Sequence, residues 1–192
     1  MTARVLIALV LVASAIPAGA ARATASVVIS EFVASNHAGL RDGDGNASDW
    51  IELYNTGGRA VSLDGWRLTD DAANLEKWRF PSGISLPAKG FLLVIASGDA
   101  VGDTIDAKGY PHTNFSLDKD GEYLALVDSS GRILHEYAPA YPPQEADISY
   151  GLWEDSPAYF PTPTPGKANE QGVAGLTEKT QHSVERGFYD EP

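Results

Sequence analysis

The chain of 192 residues contains no cysteine. This absence excludes disulfide bonds, thiolate metal ligands and lipid attachment through cysteine. A domain without these supports is held together by its hydrophobic core. About 170 residues, the length that remains without the first two dozen, are enough to form such a core. Basic residues are also scarce, because 14 Lys and Arg stand against 26 Asp and Glu, and the formal net charge is −12. An acidic surface repels nucleic-acid backbones, so we expect no nucleic-acid partner.

Long apolar runs are also missing, with one exception near the N-terminus, VLIALVLVASAI at residues 5–16. This run follows Arg4, precedes the small residues of AGAARATAS, and is too short to span a bilayer comfortably. The arrangement is typical of a secretory signal peptide, which we predict at residues 1–23 with cleavage after Ala20 or Ala23. The alternative is an uncleaved anchor. We therefore expect a secreted, periplasmic or cell-surface protein without a membrane span after cleavage.

The rest of the chain shows no long helical periodicity. Short runs rich in Val, Ile, Leu and aromatic residues are separated by Gly, Pro, Asp and Asn, a pattern typical of strands. The predicted strands are residues 25–34, 49–55, 60–63, 65–70, 77–80, 83–86, 90–97, 113–117, 121–128 and 132–138. Many short strands joined by close turns favour an all-β fold, either an antiparallel sandwich or a barrel.

Proline becomes frequent from about Pro139 onward. Because proline lacks the N–H that a strand ladder needs, segments rich in it are not expected to form central strands. We predict an extended strap that lies along the sandwich and is anchored by Tyr150, Trp153 and Phe160. After Asn169 the sequence becomes polar and irregular, which is typical of a linker.

Several segments resemble, in order, the lamin tail domain in its bacterial, secreted form. They are VVISEFVASN (27–36), DWIELYNTG (49–57), VSLDGWRLTDD (61–71), KWRFPSGISLPAKGFLLVIASGD (77–99) and HTNFSLDKDGEYLALVDSSGRIL (112–134), followed by ISYG and FPTPTPGKAN. The resemblance spans residues 27–169. It implies an immunoglobulin-like antiparallel β-sandwich, no known catalytic residues, and a role as an extracellular interaction or targeting module.

A second resemblance lies at the end of the chain, where SVERGFYDEP (183–192) is similar to the start of a small β-module found at the C-terminus of chitobiase-like enzymes. Together these features predict three parts. They are a signal peptide at 1–23, a lamin-tail-like β-sandwich with a proline-rich C-terminal strap at 24–169, and a linker with the start of a following module at 170–192. We therefore expect this chain to be part of a longer bacterial protein.

The segment DGDGNASD at residues 42–49 concentrates oxygen-bearing side chains ahead of a predicted strand. Calcium binds several such oxygens, so the segment is a candidate calcium site. The candidate ligands are Asp42, Asp44, Asn46 and Asp49. An EF-hand loop is excluded because Ala47 and Leu53 stand where its Gly and Glu would be. The alternative is an acidic turn held by bonds between side chains and backbone.

Catalytic constellations are not evident in the sequence. Asp49 and Glu52 lie close together, but a regular strand would place them on opposite faces, unlike the facing carboxylates of a glycosidase. The four histidines are scattered without the spacing of a zinc-binding helix, and there is no Gly-x-Ser-x-Gly segment. We therefore expect no enzyme activity and no cofactor apart from calcium.

Three functional hypotheses follow from these patterns. The first is a non-enzymatic, monomeric extracellular module that binds a protein or a cell-envelope polysaccharide. The second is a carbohydrate-binding module that serves a polysaccharide-acting enzyme, because aromatic residues such as Trp153 and Tyr159 could stack on sugar rings. The third is a calcium-stabilised adhesion domain. The remaining tryptophans, Trp50, Trp66 and Trp78, lie within strand patterns and are expected in the core.

Overall fold

The computed structural model describes residues 26–98 and 105–176, so the predicted signal peptide and the segment SVERGFYDEP lie outside the described residues. The described part contains eleven strands and no helix. The strands are β1 (Val27–Val33), β2 (Asp49–Asn55), β3 (Val61–Ser62), β4 (Arg67–Thr69), β5 (Trp78–Arg79), β6 (Ser85–Leu86), β7 (Phe91–Ala96), β8 (Leu124–Val127), β9 (Ile133–Tyr137), β10 (Ser149–Trp153) and β11 (Ser156–Phe160). The described residues accordingly include no helix of the length and apolarity needed to cross a membrane.

Two antiparallel sheets form the layers of a sandwich. The first sheet has the order β11-β10-β1-β2-β7 and the second has the order β5-β4-β8-β9, while β3 and β6 pair as a short ribbon. The core between the sheets includes Ile29 and Ile51 from the first sheet and Leu68 and Leu126 from the second, all fully buried. The predicted all-β antiparallel sandwich is therefore confirmed.

Strand β2 shows how alternation builds this core. Ile51 and Leu53 enter the core, and Trp50, Glu52 and Tyr54 point to the outer face of the first sheet. The outer face is nevertheless only partly exposed to solvent, because Trp50 is 1% exposed and Glu52 is 0% exposed. Loops and the segment 161–169 cover this part of the sheet, as the contacts described below show.

Trp66 and Trp78 lie in the core between the sheets as expected, whereas Trp50 is buried in a separate cluster on the outer face of the first sheet. Trp50, Trp66 and Trp78 are at most 9% exposed. Phe160 is also buried, and Tyr150 packs against the core, so two of the three residues predicted to anchor the C-terminal segment do so. The third, Trp153, is half-buried and lines a cleft on the outer face of the sheet.

The structure differs from the strand prediction in two places. Residues 113–117 form no strand, although Thr113 N donates to Ile95 O over 2.8 Å at the edge of β7. Residues 149–160, expected to be an extended strap, form β10 and β11, and β10 is a central strand of the first sheet. Proline permits this because β10 contains none, and Pro157 lies in the edge strand β11. The edge of β11 is in turn bridged by Val173, which exchanges two backbone hydrogen bonds with Tyr159.

A β-bulge in β1 decides which side chains reach the outer face. Ile29 pairs with Leu53, but Glu31 pairs with Glu52, so Ser30 is the extra residue. The bulge turns Glu31 away from the core. On its other side Glu31 pairs with Gly151, where a Cβ atom would lie 2.1 Å from the Ser30 carbonyl oxygen. Glycine is therefore required for β10 to approach the bulge.

Candidate functional site

The outer face of the first sheet is divided into three zones. At one end an apolar cluster is covered by loops; it consists of Val33, Trp50, Leu93 and Ile95, with Leu40 and Tyr110 packed against it. In the middle lie the side chains of Glu31 and Glu52. At the other end the sheet is open and forms the aromatic cleft, which we define below.

Glu52, on the outer face of the first sheet, binds the segment 161–169 that covers it. Its Oε1 accepts a hydrogen bond from Ser30 Oγ over 2.7 Å, and its Oε2 accepts one from the Gly166 amide over 2.5 Å. Burial, with a smaller contribution from the nearby Glu31, raises the pKa of Glu52 to about 7 against the opposing hydrogen bonds. This carboxyl group therefore gains or loses a proton near neutral pH.

Glu31 binds the same segment at Thr164. Its carboxyl group accepts a hydrogen bond from Ser149 Oγ and another from the Thr164 amide, at 2.9 Å from Oε1. Oε2 lies 3.0 Å from Thr164 Oγ1, which in turn lies 3.0 Å from Asn169 Oδ1. Burial raises the pKa of Glu31 above its ordinary value.

The hydrogen bonds of Thr164 and Asn169 bear on whether the Glu31 carboxyl group is protonated. Asn169 Nδ2 donates to the carbonyl oxygens of Ser30 and Leu152, over 2.9 and 2.8 Å, so its Oδ1 must face Thr164. The Thr164 hydroxyl has one hydrogen but lies between two acceptors. Both contacts become hydrogen bonds when Glu31 is protonated and donates to Thr164, which then donates to Asn169.

Glu31 and Glu52 are thus two facing carboxyl groups that the sequence patterns did not reveal. A glycosidase needs such a pair at an open cleft. Here both side chains are 0% exposed and are occupied by hydrogen bonds to the segment 161–169. They hold that segment against the sheet, and we call the two acids together with residues 161–169 the latch.

The aromatic cleft lies next to the latch and encloses about 230 Å³. Its floor includes Val28, Tyr54 and Phe91, which are neighbours across β1, β2 and β7. The rings of Tyr54 and Phe91 are stacked, with centroids 4.6 Å apart and planes inclined by 19°. Trp153, at the end of β10, forms part of the lining, and Asn169 of the latch forms another part.

A model of the Lamin Tail Domain family matches residues 20–140, which is more than half of the chain. This chain belongs to the lamin tail domain family. The family has an immunoglobulin-like fold, is of a binding type and is not a known enzyme family. No curated protein matches the chain. The matched region includes β1 to β9, and β10 and β11 complete the first sheet of this lamin tail domain beyond it.

The acidic loop of this lamin tail domain is organised around Asp42, which is 2% exposed. Asp42 Oδ1 accepts hydrogen bonds from the amides of Asp44 and Asn46, over 3.0 and 2.8 Å, and Oδ2 accepts one from Ser48 Oγ over 3.3 Å. Burial opposes the charge of Asp42, but these hydrogen bonds outweigh it and lower its pKa below the ordinary value. The geometry is that of a turn held by its own carboxylate.

Asp49, the remaining candidate calcium ligand, is engaged elsewhere. Its Oδ1 accepts a hydrogen bond from the Asn36 amide over 3.0 Å, and burial raises its pKa to about 6. It lines a polar groove at one end of the sandwich together with His37 and Lys119. Within residues 26–98 and 105–176 no three acidic or histidine side chains cluster closely enough to hold a metal ion. A calcium site formed by Asp42, Asp44, Asn46 and Asp49 stays a prediction.

The sequence patterns identified one residue of the aromatic cleft and missed the others. Trp153 was expected as an anchor or a sugar-stacking residue, and it lines the cleft. Tyr159 was expected beside it, but Tyr159 is 7% exposed and its hydroxyl donates to the Pro143 carbonyl over 2.8 Å. Tyr54 and Phe91 are 37 positions apart in sequence, as their numbers show, and only the register of β2 against β7 brings them together.

Proposed function

We propose that this lamin tail domain is a non-enzymatic extracellular interaction module of a longer, exported bacterial protein, and that it binds a protein partner through the aromatic cleft. Export is supported by the sequence of residues 1–23, which has the charge, apolar run and small residues of a signal peptide. A longer parent protein is supported by the similarity of residues 183–192 to the start of a further module.

The observation that carries the binding role is the aromatic cleft. Large apolar side chains of a soluble domain are normally buried, whereas partly exposed aromatic residues in a concave site are typical of binding surfaces. Tyr54, Phe91 and Trp153 are each partly exposed and share one cleft. Tyrosine and tryptophan are also the residues that most often dominate binding energy at interfaces.

The buried ionisable groups of the outer face support a role without catalysis. Glu31 and Glu52 bind residues 161–169 within the latch, and Asp42 holds its own loop. A carboxylate that is enclosed and fully hydrogen-bonded has a structural role, whereas a catalytic acid or base must reach its substrate. The cleft itself is a concave, largely apolar surface, which suits binding.

The proposal is tested by crosslinking a tagged full chain to its partner in the producing cells. We expect one partner to be captured by the wild type and by Ile133→Ala, which alters an exposed apolar residue on β9 of the second sheet. We expect capture to be lost in Trp153→Ala and in Tyr54→Ala, each checked for folding by circular dichroism. Capture that is equal in all four proteins would rule out binding through the cleft.

A second candidate function is carbohydrate binding for a polysaccharide-acting enzyme, which the position of Trp153 in a cleft favours. The half-buried indole could stack on a sugar ring there. This function predicts retention of the chain on an insoluble glycan and loss of retention in Trp153→Ala. Tyr159→Phe serves as the control, because Tyr159 is buried outside the cleft. Absence of retention on a broad glycan panel would remove this candidate.

A further inference from the structure

The charged residues that line the aromatic cleft are both acidic. Glu154 and Asp155 follow Trp153 directly, and both side chains are exposed at the cleft. The aromatic faces of Tyr54 and Trp153 carry the partial negative charge of their ring quadrupoles, which attracts cations. The cleft therefore combines two carboxylates with aromatic surfaces, within a chain whose formal net charge is −12.

The turn that carries the two acids has a defined backbone. Trp153 pairs with Ser156, so Glu154 and Asp155 form a two-residue hairpin loop between β10 and β11. Their φ angles are 49° and 62°, a region in which glycine and asparagine are favoured. The hairpin therefore fixes the backbone of both acids and places their side chains at the mouth of the cleft.

The neutral hydrogen-bond donors of Ser30, Thr56 and Asn169, which also line the cleft, are already used within the domain. Ser30 Oγ donates to Glu52, Thr56 Oγ1 donates to the Ser26 carbonyl, and Asn169 Nδ2 donates to two carbonyl oxygens. Sugar hydroxyl groups require donors as well as acceptors from a binding site. The remaining neutral donors of the lining side chains are the Tyr54 hydroxyl and the Trp153 indole N–H, whereas the two exposed carboxylates of the turn add acceptors that carry negative charge and favour a cationic donor.

We propose that the aromatic cleft binds an arginine side chain of the partner polypeptide; this inference rests on the proposed function. A guanidinium group is planar, stacks on aromatic faces and presents several donors that match carboxylates. The volume of about 230 Å³ suits one long side chain rather than a larger ligand. The guanidinium lies against Trp153 and the Tyr54–Phe91 stack, and its N–H groups reach Glu154 and Asp155.

The test follows the indole N–H signal of Trp153 in ¹H–¹⁵N spectra of the full chain, with the signal assigned from Trp153→Phe. The probe is N-acetyl-arginine N-methylamide. Its neutral analogue, with citrulline in place of arginine, controls for shape, and methyl glucoside and methyl N-acetylglucosaminide represent sugars. We expect a saturable shift with the arginine probe and at least tenfold weaker binding of the citrulline probe, since a tenfold change corresponds to about 1.4 kcal/mol.

The matched variants change the same number of charges inside and outside the cleft. Glu154→Gln combined with Asp155→Asn keeps residues of similar shape in the turn, and we expect it to weaken arginine binding about tenfold. Asp120→Asn combined with Glu145→Gln removes two exposed acids outside the cleft. We expect this control to change the affinity less than twofold.

Several results would overturn the inference. They are an equal response to arginine and citrulline, a response to a glycoside without one to arginine, or no response of Trp153 to any probe. Equal weakening by the two double variants would assign the effect to net charge, and a Trp153 shift on dilution without probe would assign the cleft to a second copy of the chain. Partner capture that depends on Trp153 but survives the change of both turn acids would leave the proposed function standing without arginine recognition.

Discussion

Replacing Glu52 by glutamine is expected to stabilise the domain at pH 8 and to change its stability little at pH 5. Glu52 is fully buried, and burial raises its pKa from the ordinary 4.5 to about 7. The folded state therefore holds this proton more tightly than the unfolded chain does. The resulting stability is fully present below pH 4.5 and is lost as the pH rises through 7. Because one pKa unit corresponds to about 1.4 kcal/mol, this loss is about 3 kcal/mol.

Glutamine reproduces the contacts of the protonated acid. Its amide oxygen accepts the hydrogen bond from the Gly166 N–H, and its amide nitrogen donates to Ser30 Oγ. The Ser30 hydroxyl then donates to the backbone carbonyl of residue 52, which lies 3.3 Å away. The variant keeps these bonds at every pH, whereas the wild type must bury a charge beside Glu31 once the proton has left.

The assay is urea unfolding of the wild type and the variant at pH 5, 6, 7 and 8, followed by tryptophan fluorescence at constant ionic strength. Other groups also titrate in this range. Burial lowers the pKa of His135 to about 4, which makes stability rise with pH between 4 and 6.5, and burial raises the pKa of Asp49 to about 6, which has the opposite effect. Both remain in the variant, so the difference between the two proteins isolates Glu52 together with its coupling to Glu31.

We expect this difference in the free energy of unfolding to grow by about 2 to 3 kcal/mol in favour of the variant between pH 5 and pH 8. Glu145→Gln, which removes an exposed carboxylate, controls for the loss of one negative charge. If Glu52→Gln shifts the wild-type curve by a constant amount at every pH, Glu52 holds no proton near neutrality and the described role of burial is wrong.

Three further predictions concern the latch and the acidic loop. Asn169→Ala removes the amide that binds the Ser30 and Leu152 carbonyls, so we expect a loss of about 2 kcal/mol in urea unfolding, whereas a loss below about 0.5 kcal/mol would contradict the importance of this bridge. The calcium hypothesis predicts that a chelator lowers the melting temperature and that Asp44→Ala abolishes this shift, whereas an unchanged melt in chelator excludes it. Asp42→Ala is expected to destabilise the loop by about 2 kcal/mol even in chelator, because it deprives the turn of its internal acceptor.

The sandwich was predictable because its strands follow simple burial patterns. Ile51 and Leu53 alternate with Glu52 along β2 and enter the core, and the unbroken apolar run of β7 is buried on both sides, with Val94 and Ile95 in different clusters. The strand β10 was not predicted, because its sequence lies among prolines and composition alone does not separate a central strand from its surroundings. The requirement for glycine at position 151 arises from the close approach of β10 to the bulge in β1, which the sequence of β10 alone does not show.

The sites depended on contacts that local patterns do not encode. Glu31 and Glu52 each look like an exposed position in an alternating strand, and their burial follows from the return of residues 161–169 over the sheet. The bulge at Ser30 was also decisive, because regular pairing would turn Glu31 towards the core. In contrast, the interpretation of residues 42–49 as a turn was available from the sequence, since Asp and Asn close turns locally.

The backbone bridges at the two edges of the first sheet affect how copies of this domain behave when crowded. Val173 exchanges hydrogen bonds of 2.8 and 2.9 Å with Tyr159 of β11, and Ile95 of β7 bonds to Pro111 and Thr113, each over 2.8 Å. Unpaired edges are templates on which strands of other molecules assemble into fibrils. By pairing with its own edges, the chain shortens both templates, so we expect copies of the domain to resist lateral polymerisation.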